Sequence, residues 1–450
     1  MKHKIRFTTT QLIMLSFLGA IFVGSILLTL PISSSGERVA YIDALFTATT
    51  SICVTGLVTV TTASAWSTFG HIVILFLIQI GGLGIITIIA AIMVILNKKM
   101  GMKDRILLQD TFNLNSLFGI VRFLKKVIIG TLVVEGTGAL LYMVVFVPEF
   151  GLKGIWYSIF NAVSAFCNAG MDIIGENSMC DYKLNPIVNT TTNLLIILGG
   201  IGYIVWWDVI RVIKEIPKKK WKCFSGLTLH SKIALSTTGI LVVGGMLLIL
   251  LFDYHNPLTI GNYNLFDKLQ VSLFQSVTTR TAGFASIPQK DLTNASSMIS
   301  MLLMFIGGSP VGTAGGVKTV TIAVLLYSTY ATIANRDDVE MFNRRISEEA
   351  VKKSVAVVAT SFIICFTSTL LLSLVCSADI LDIVYETVSA TATVGLSRDL
   401  TSKLNIWGKI IIITTMYLGR VGPISMAIAF TAKNQKTNII KSPTEEISVG

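Results

Sequence analysis

The sequence arranges long apolar stretches and short amphipathic ones in an order that occurs four times. The first stretch of each unit is apolar and long enough to cross a bilayer, at roughly 8–30, 122–147, 229–252 and 351–375. An amphipathic stretch too short to span follows each of them. A second apolar stretch closes each unit, at roughly 71–96, 187–213, 297–333 and 406–431. The pattern predicts eight transmembrane helices, in pairs that enclose a short helix.

A glycine follows each short amphipathic stretch at a nearly constant spacing. The four glycines lie 114, 113 and 112 residues apart, at Gly56, Gly170, Gly283 and Gly395. Such a period indicates a fourfold internal repeat, and we expect its units at 1–100, 101–217, 218–335 and 336–450. An aromatic residue precedes the glycine by ten positions in three units, but Phe274 precedes Gly283 by nine. Repeat 3 therefore has one residue fewer in this link, or its alignment is shifted by one.

Composition places the chain in a membrane. Of its 450 residues, 52% are hydrophobic and 14% are charged, whereas a soluble domain carries about a quarter charged residues. Lys2, Lys4 and Arg6 precede the first apolar stretch as in a signal peptide, but that stretch is too long and has no small-residue cleavage site after it. We therefore expect it to remain as the first transmembrane helix. The six cysteines form no CxxC pair, so metal or thiol chemistry is not indicated.

The distribution of Lys and Arg predicts the topology. With both termini in the cytoplasm, the inner segments hold 25 of these residues and the outer segments hold 9, as the positive-inside rule requires. The net charge of +11 thus arises between membrane spans, and the sequence predicts no nucleic-acid partner. The charged inner loops serve as solvated connectors or contact lipid headgroups.

Each repeat has the layout of a pore-loop subunit, which consists of a helix, a half-helix, a strand and a second helix. We call the three helices M1, the pore helix and M2. The half-helix and strand cannot face lipid, because unpaired backbone groups there cost several kcal/mol each. The predicted fold is therefore an all-α polytopic membrane protein, with eight transmembrane helices as four M1–pore-loop–M2 repeats around one pseudo-fourfold ion pathway.

The strands after the pore helices are the candidate ion-binding segments. A filter replaces the hydration shell of an ion with carbonyl oxygens, and glycine allows the backbone conformation that presents them. None of the four triplets contains Asp or Glu, which favours a monovalent cation. Alternatively, each glycine merely ends a short helix. The candidate filter residues are Val54, Thr55, Gly56; Asn168, Ala169, Gly170; Thr281, Ala282, Gly283; and Thr393, Val394, Gly395.

The third M2 stretch contains the segment "GGSPVGTAGGVKT", residues 307–319. Gly costs about 1 kcal/mol and Pro about 3 kcal/mol relative to Ala in a helix, so five glycines and Pro310 interrupt it. The segment is either a kink for packing or an irregular loop that faces the pathway. Its residues of interest are Gly307, Gly308, Ser309, Pro310, Gly312, Thr313, Ala314, Gly315, Gly316 and Lys318.

Three charged residues are of particular interest because they lie deep within apolar stretches, where a charge costs about 2.5–3.5 kcal/mol on insertion scales. Arg420 in the fourth M2 is expected to face the pathway or a partner. Lys318 either does the same or extends to the inner interface. Glu135 in the second M1 either pairs with a polar neighbour or serves as a carrier carboxylate.

The motifs "TRTAGF", "GGSPVGTAGGVKT" and "GRVGP", together with the fourfold repeat, resemble the Trk/Ktr/HKT superfamily of potassium transporters. The resemblance covers essentially the whole chain and is greatest to KtrB, the membrane subunit of bacterial Ktr systems. It implies that the four glycines are filter glycines, and that glycine at position 56 is associated with potassium preference. A serine at that position accompanies sodium passage in the plant relatives. It also implies that the loop in 307–319 is a gate in which Arg420 takes part.

The resemblance further implies a setting and partners. These are the plasma membrane of a bacterium, membrane lipid, a homodimer, and a cytosolic RCK-type subunit, KtrA-like, that binds the regulatory nucleotide. The substrate is K⁺, and Na⁺ activates members of the family. We therefore expect gated potassium uptake driven by the membrane potential. The alternatives are a sodium- or proton-coupled symporter with Glu135 as its carrier, and a membrane enzyme or scaffold. No acid, base or nucleophile converges in the four pore segments, so we do not expect an enzyme.

Overall fold

The computed structural model describes residues 8–96, 101–111, 119–219 and 225–422. This part of the chain is predominantly helical and contains one short hairpin. The first half contains α1 (Thr9–Thr29), α2 (Tyr41–Cys53), α3 (Thr62–Ala65), α4 (Thr68–Leu83), α5 (Ile85–Ile95), α6 (Met102–Thr111), α7 (Ile120–Phe150), α8 (Lys153–Cys167), α9 (Pro186–Ile201) and α10 (Tyr203–Lys219). The second half contains α11 (Leu229–Asp253), α12 (Leu265–Thr278), α13 (Asn294–Phe305), α14 (Thr319–Ile333), the antiparallel strands β1 (Glu340–Met341) and β2 (Arg344–Arg345), α15 (Glu348–Val375), α16 (Ile380–Ala392) and α17 (Ile406–Val421).

The four M1 helices, α1, α7, α11 and α15, are each long and apolar enough to cross a membrane alone. Side-chain hydroxyls cap the amino ends of α1, α11 and α15, at Thr8, Thr228 and Ser347, which satisfies backbone amides that have no partner within the helix. No more than a third of any of these spans is buried within the protein. The M1 helices therefore form an outer layer whose apolar side chains face lipid.

The four pore helices, α2, α8, α12 and α16, form the inner layer. They have 13, 15, 14 and 13 residues, or about 20 Å at 1.5 Å per residue, which is too short to cross a bilayer. The aromatic residues that mark the repeat are fully buried in them, at Phe46, Phe160, Phe274 and Tyr385. The core of the protein thus lies around the pore helices.

The M2 segments of repeats 1, 2 and 4 each break or end at a glycine with a positive φ. The prediction of continuous helices at 71–96 and 187–213 was wrong: α4 and α5 meet at 95°, and α9 and α10 meet at 101°. The breaks lie at Gly84 and Gly202, and α17 ends at Gly422 in the same conformation, with φ of 85°, 92° and 90°. Only glycine adopts this conformation readily. The remainder of the predicted fourth M2, 423–431, lies outside the described residues.

The third M2 consists of α13 and α14, separated by an irregular segment as the sequence predicted. Counting each bent pair as one span gives six candidate spans by length and composition in the described part of the chain, and α13, α14 and α17 are shorter.

The repeats are arranged in a ring, because each M2 packs against the pore helix of the next repeat: α4 on α8, α9 on α12, α13 on α16 and α17 on α2. An ion pair between Lys409 and Asp43, 2.5 Å long and largely buried, closes the ring between repeats 4 and 1.

Candidate ion filter and gate

The four strands after the pore helices share one backbone conformation. The residue two positions before each glycine is left-handed, with φ between 52° and 63° at Val54, Asn168, Thr281 and Thr393. The glycines also have positive φ, of 96°, 63°, 83° and 102° in chain order. The positions aligned from the sequence are therefore structurally equivalent in all four repeats.

The shorter link of repeat 3 lies between its pore helix and its strand. In repeats 1, 2 and 4 the amide of the middle strand residue donates to a carbonyl five residues earlier, as Thr55 does to Thr50 at 2.8 Å. In repeat 3 the amide of Ala282 donates to the carbonyl of Thr278, only four residues earlier, at 3.0 Å. Repeat 3 thus has one residue fewer at this turn, and its glycine keeps the common register.

The four glycines form a closed ring. A β-carbon on Gly56 would lie 2.5 Å from the carbonyl oxygen of Ala169. A β-carbon on each other glycine would meet the equivalent carbonyl of the next repeat as closely: Gly170 that of Ala282, Gly283 that of Val394, and Gly395 that of Thr55. Real β-carbons essentially never approach other atoms within 3.0 Å. Each strand therefore contacts the next around one axis, and no other residue fits at these four positions without displacing a neighbour.

Backbone amides of the strands bond to their own pore helices. The amide of Gly56 donates to Oγ1 of Thr50 at 2.9 Å, and the amide of Gly395 donates to Oγ of Ser389 at 3.0 Å. In repeat 2, Oγ of Ser164 accepts from the amide of Met171 at 3.1 Å. Because these amides are occupied on the pore-helix side, carbonyl oxygens remain for the interior of the ring.

A cavity of about 400 Å³ opens on one side of the ring and is lined by all four glycines. We call it the vestibule, and its side the outer side, following the charge bias of the sequence. Three acidic residues also line it, Asp172, Glu176 and Asp399, and none of its described lining residues is Lys or Arg. Burial raises the pKa of Asp172 to about 6, opposed by hydrogen bonds from Ser178 and from the amides of Ile174 and Gly175. A low-dielectric cleft lined by one sign of charge concentrates the opposite ion.

The irregular segment between α13 and α14 lies on the other side of the ring. We call residues 307–318 the intramembrane loop. Its two ends meet, since the amide of Gly307 donates to the carbonyl of Val317 at 2.9 Å. Its middle is bonded to repeat 2: the amides of Ser309 and Thr313 donate to the carbonyls of Gly200 and Gly199, at 2.8 and 3.0 Å.

The intramembrane loop touches the filter strands directly. The amide of Gly315 donates to Oγ1 of the filter residue Thr281 at 3.1 Å. A β-carbon on the same glycine would overlap Oγ1 of Thr393 and lie 3.0 Å from the carbonyl of Ala392, at the end of α16. The loop therefore lies immediately against the inner ends of two strands of the ring.

Two cationic side chains hold the intramembrane loop. Arg420 donates to the carbonyl of Thr313 at 2.7 Å and to the carbonyl of Gly81 at 2.6 Å, and so links repeats 4, 3 and 1. Lys318 donates to the carbonyls of Ala314 and Gly315, at 2.6 and 3.3 Å. The side chain of Lys318 therefore points to the intramembrane loop and does not extend to the inner interface.

Sequence reasoning gave no role to Arg280, which is only 5% exposed. Its guanidinium donates to the carbonyl of Gly307, where the intramembrane loop begins, at 3.3 Å. The sequence signal for Arg280 was its charge within the motif "TRTAGF", because a charged side chain inside a pore segment needs a buried partner.

Glu135 accepts from Nε2 of Gln79 at 3.3 Å and lies 3.9 Å from Sγ of Cys167. It therefore has the polar neighbours that its interpretation as a paired residue requires.

Comparison with known proteins identifies the family. Residues 3–441 match the family model described as TrkH, cation transport protein. The chain belongs to this family. Potassium/sodium uptake protein NtpJ of Enterococcus hirae is 39% identical over 461 residues, which cover 100% of this chain and 99% of that protein. Ktr system potassium uptake protein B of Bacillus subtilis is 38% identical over 447 residues, which cover 99% of this chain and 98% of that protein.

A solved structure shares the fold. The potassium transporter TrkH of Vibrio parahaemolyticus superposes with a TM-score of 0.73 at 17% identity, covering 96% of this chain and 86% of that one. The family model and the relatives at 38–39% identity make the chain a multi-pass membrane protein of a transporter family, as the resemblance of its sequence motifs implied, and not an enzyme.

Proposed function

We propose that this protein mediates gated potassium uptake across the bacterial plasma membrane, driven by the membrane potential. The observation that carries the proposal is the closed ring of four glycines, each beside the carbonyl oxygen of the next repeat. Such a ring of carbonyls can replace the hydration shell of a monovalent cation. The names of the Ktr system potassium uptake proteins B of Bacillus subtilis and Vibrio alginolyticus support potassium as the ion, and the name of NtpJ includes both potassium and sodium.

The proposed filter comprises the twelve residues of the four triplets. The carbonyls of Thr55, Ala169, Ala282 and Val394 are the best-supported ligands, because they lie at the ring of glycines. Four pore helices end beside it, and the partially negative carboxyl ends of helices favour a cation.

The proposed gate is the intramembrane loop with Arg420. The loop lies against two filter strands and is bonded to repeat 2, while Arg420 connects it to repeats 1 and 4. A positive charge beneath a cation filter also opposes the passage of ions. Movement of the loop would then open the pathway. A cytosolic nucleotide-binding subunit and homodimerisation belong to the proposal through the resemblance in sequence, as does activation by Na⁺.

Uptake of ⁸⁶Rb⁺ into liposomes that contain only this chain tests the proposal. Under an inside-negative potential, we expect uptake that potassium competes away and sodium does not. Uptake that ignores the potential and requires a proton or sodium gradient would replace the proposal with a coupled symporter.

Asp172 is expected to make ion capture depend on external pH. Above about pH 6 its carboxylate is ionised and adds negative charge to the vestibule, and below that pH the charge is lost. Lowering the external pH from about 7.5 to 5.5 should raise the KM for rubidium roughly two- to threefold, with little change in maximal rate. The Asp172→Asn variant should have the higher KM at both pH values.

The control for this prediction is Asp181→Asn. Asp181 lies in the same loop but is exposed and outside the vestibule lining, so this variant should keep the pH dependence of the wild type. A persistent pH dependence in Asp172→Asn would show that another group is responsible.

A further inference from the structure

Every pore helix has a buried polar residue directly after its buried aromatic. These residues are at most 3% exposed, and they are Thr47, Asn161, Gln275 and Glu386. They belong neither to the filter triplets nor to the intramembrane loop. Polar groups are buried at a large free-energy cost unless they are hydrogen-bonded, so their partners indicate what they do.

In repeat 4, Glu386 bonds to the segment that leaves the filter. One carboxylate oxygen accepts from Oγ of Ser397 at 2.7 Å, and the other accepts from Oγ1 of Thr401. These residues follow Gly395 by two and six positions. Oγ of Ser397 also accepts from the amide of Leu400 at 3.2 Å. Glu386 thus fixes the outer end of the strand to the pore helix behind it.

Repeat 3 has a comparable link at the corresponding positions. The side chains of Gln275 and Gln289 exchange two hydrogen bonds, of 2.6 and 3.1 Å. Gln289 follows Gly283 by six positions, as Thr401 follows Gly395. In repeat 2 the residue at this position is Glu176, which is exposed, and neither side-chain polar atom of Asn161 has a hydrogen-bond partner in the described part of the chain. The links therefore distinguish repeats 3 and 4 from repeat 2.

The two links are joined to each other. The hydroxyl of Tyr385 donates to Oε1 of Gln289 at 2.9 Å. Arg398 donates to the main-chain carbonyl of Gln289 at 3.0 Å and forms a 2.7 Å ion pair with Asp382 of the same pore helix, α16. The segments after the filter in repeats 3 and 4 are thus braced together on α16.

We propose that Glu386 is a positioning residue for ion selection, which holds the outer end of the repeat 4 strand through Ser397 and Thr401. The inference rests on the proposed function, since it assigns a role within the same filter. A filter that selects by the number and spacing of its carbonyls depends on restraints behind the strands. Without this link the strand of repeat 4 can move toward the axis and coordinate a smaller ion, so sodium passage should rise relative to rubidium.

The test is the ratio of ⁸⁶Rb⁺ to ²²Na⁺ influx in liposomes that carry the full chain. The variants are Glu386→Ala, Glu386→Gln, Thr401→Val and the double variant Glu386→Ala/Thr401→Val. Ser402→Ala is the matched control, because it removes a hydroxyl from the same turn at an exposed position. The ratio does not depend on how much protein is active, so a loss of folded protein alone leaves it unchanged.

We expect Glu386→Ala to lower the ratio about tenfold and Thr401→Val to lower it about threefold, because one of two buried bonds remains in the latter. The double variant should match Glu386→Ala, since residues in one network are not additive. Glu386→Gln should keep most of the selectivity through its amide oxygen, and Ser402→Ala should equal the wild type.

An unchanged ratio in Glu386→Ala, or additive effects in the double variant, would overturn the inference. If Glu386→Ala does not fold, Thr401→Val decides, because it keeps the carboxylate and the shape of the side chain; an unchanged ratio there rejects the link. A wild type that does not prefer rubidium over sodium would instead overturn the proposed function, and the inference with it.

Discussion

The Gly56→Ser variant is expected to lose its preference for rubidium over sodium by about tenfold or more. Gly56 has φ of +96°, and a β-carbon there would lie 2.5 Å from the carbonyl oxygen of Ala169. A non-glycine residue in such a backbone region costs about 1–3 kcal/mol, and the overlap adds to it. The strands of repeats 1 and 2 must therefore separate, which moves a proposed ligand. Paired ⁸⁶Rb⁺ and ²²Na⁺ influx into liposomes measures the change.

Gly19→Ser is the matched control for this prediction. It introduces the same side chain into the M1 helix α1, where a β-carbon would meet no atom within 4 Å. We expect wild-type selectivity from it. Equal selectivity of Gly56→Ser and the wild type would mean that the ring of glycines does not determine which ion passes.

The Arg420→Ala variant is expected to transport faster than the wild type. It removes the hydrogen bonds to the carbonyls of Thr313 and Gly81, of 2.7 and 2.6 Å. Hydrogen bonds from charged groups contribute about 1.5–3 kcal/mol each, so the intramembrane loop should leave its position against the filter far more often. Removal of the positive charge also lowers the barrier to a cation. Initial ⁸⁶Rb⁺ influx per reconstituted protein should rise by about tenfold or more, since the lower end of the contribution of a single bond already corresponds to a factor of about ten.

Arg420→Lys separates the two causes of this effect. Lysine keeps the charge but lacks the planar guanidinium that reaches two carbonyls at once. An intermediate influx would indicate that the bonds and the charge both close the pathway. A decrease of influx in Arg420→Ala at equal reconstitution would contradict the role of Arg420 as part of a gate.

The sequence predicted those features of the fold that depend on the backbone conformation of a single segment. The glycines of the strands are local features, and the period of about 113 residues located them without any knowledge of packing. The left-handed residue two positions before each glycine was not predicted from the sequence. The interruption in 307–319 was predictable for the same reason, because Gly and Pro act on their own segment. The breaks at Gly84 and Gly202 were missed, since length and apolar composition resemble those of a straight span. The third glycine of "IGGLG" and "LGGIG" was the available signal.

Contacts between distant parts of the chain could not be predicted in this way. Asp43 pairs with Lys409, which is 366 residues away, and Tyr385 bonds to Gln289 over 96 residues. Both pairs join different repeats, so they depend on the closed ring rather than on any local pattern. The acidic lining of the vestibule has the same origin, because Asp172 and Asp399 come from repeats 2 and 4.

The most direct measurement is the location of the ion itself. Anomalous diffraction from crystals of the protein grown in rubidium chloride would show where rubidium binds. The proposed filter predicts a peak on the axis of the four glycines, within coordination distance of the carbonyl oxygens of Thr55, Ala169, Ala282 and Val394. A protein that transports rubidium in liposomes, yet gives no peak in the ring or a peak beside Glu135 instead, would contradict it.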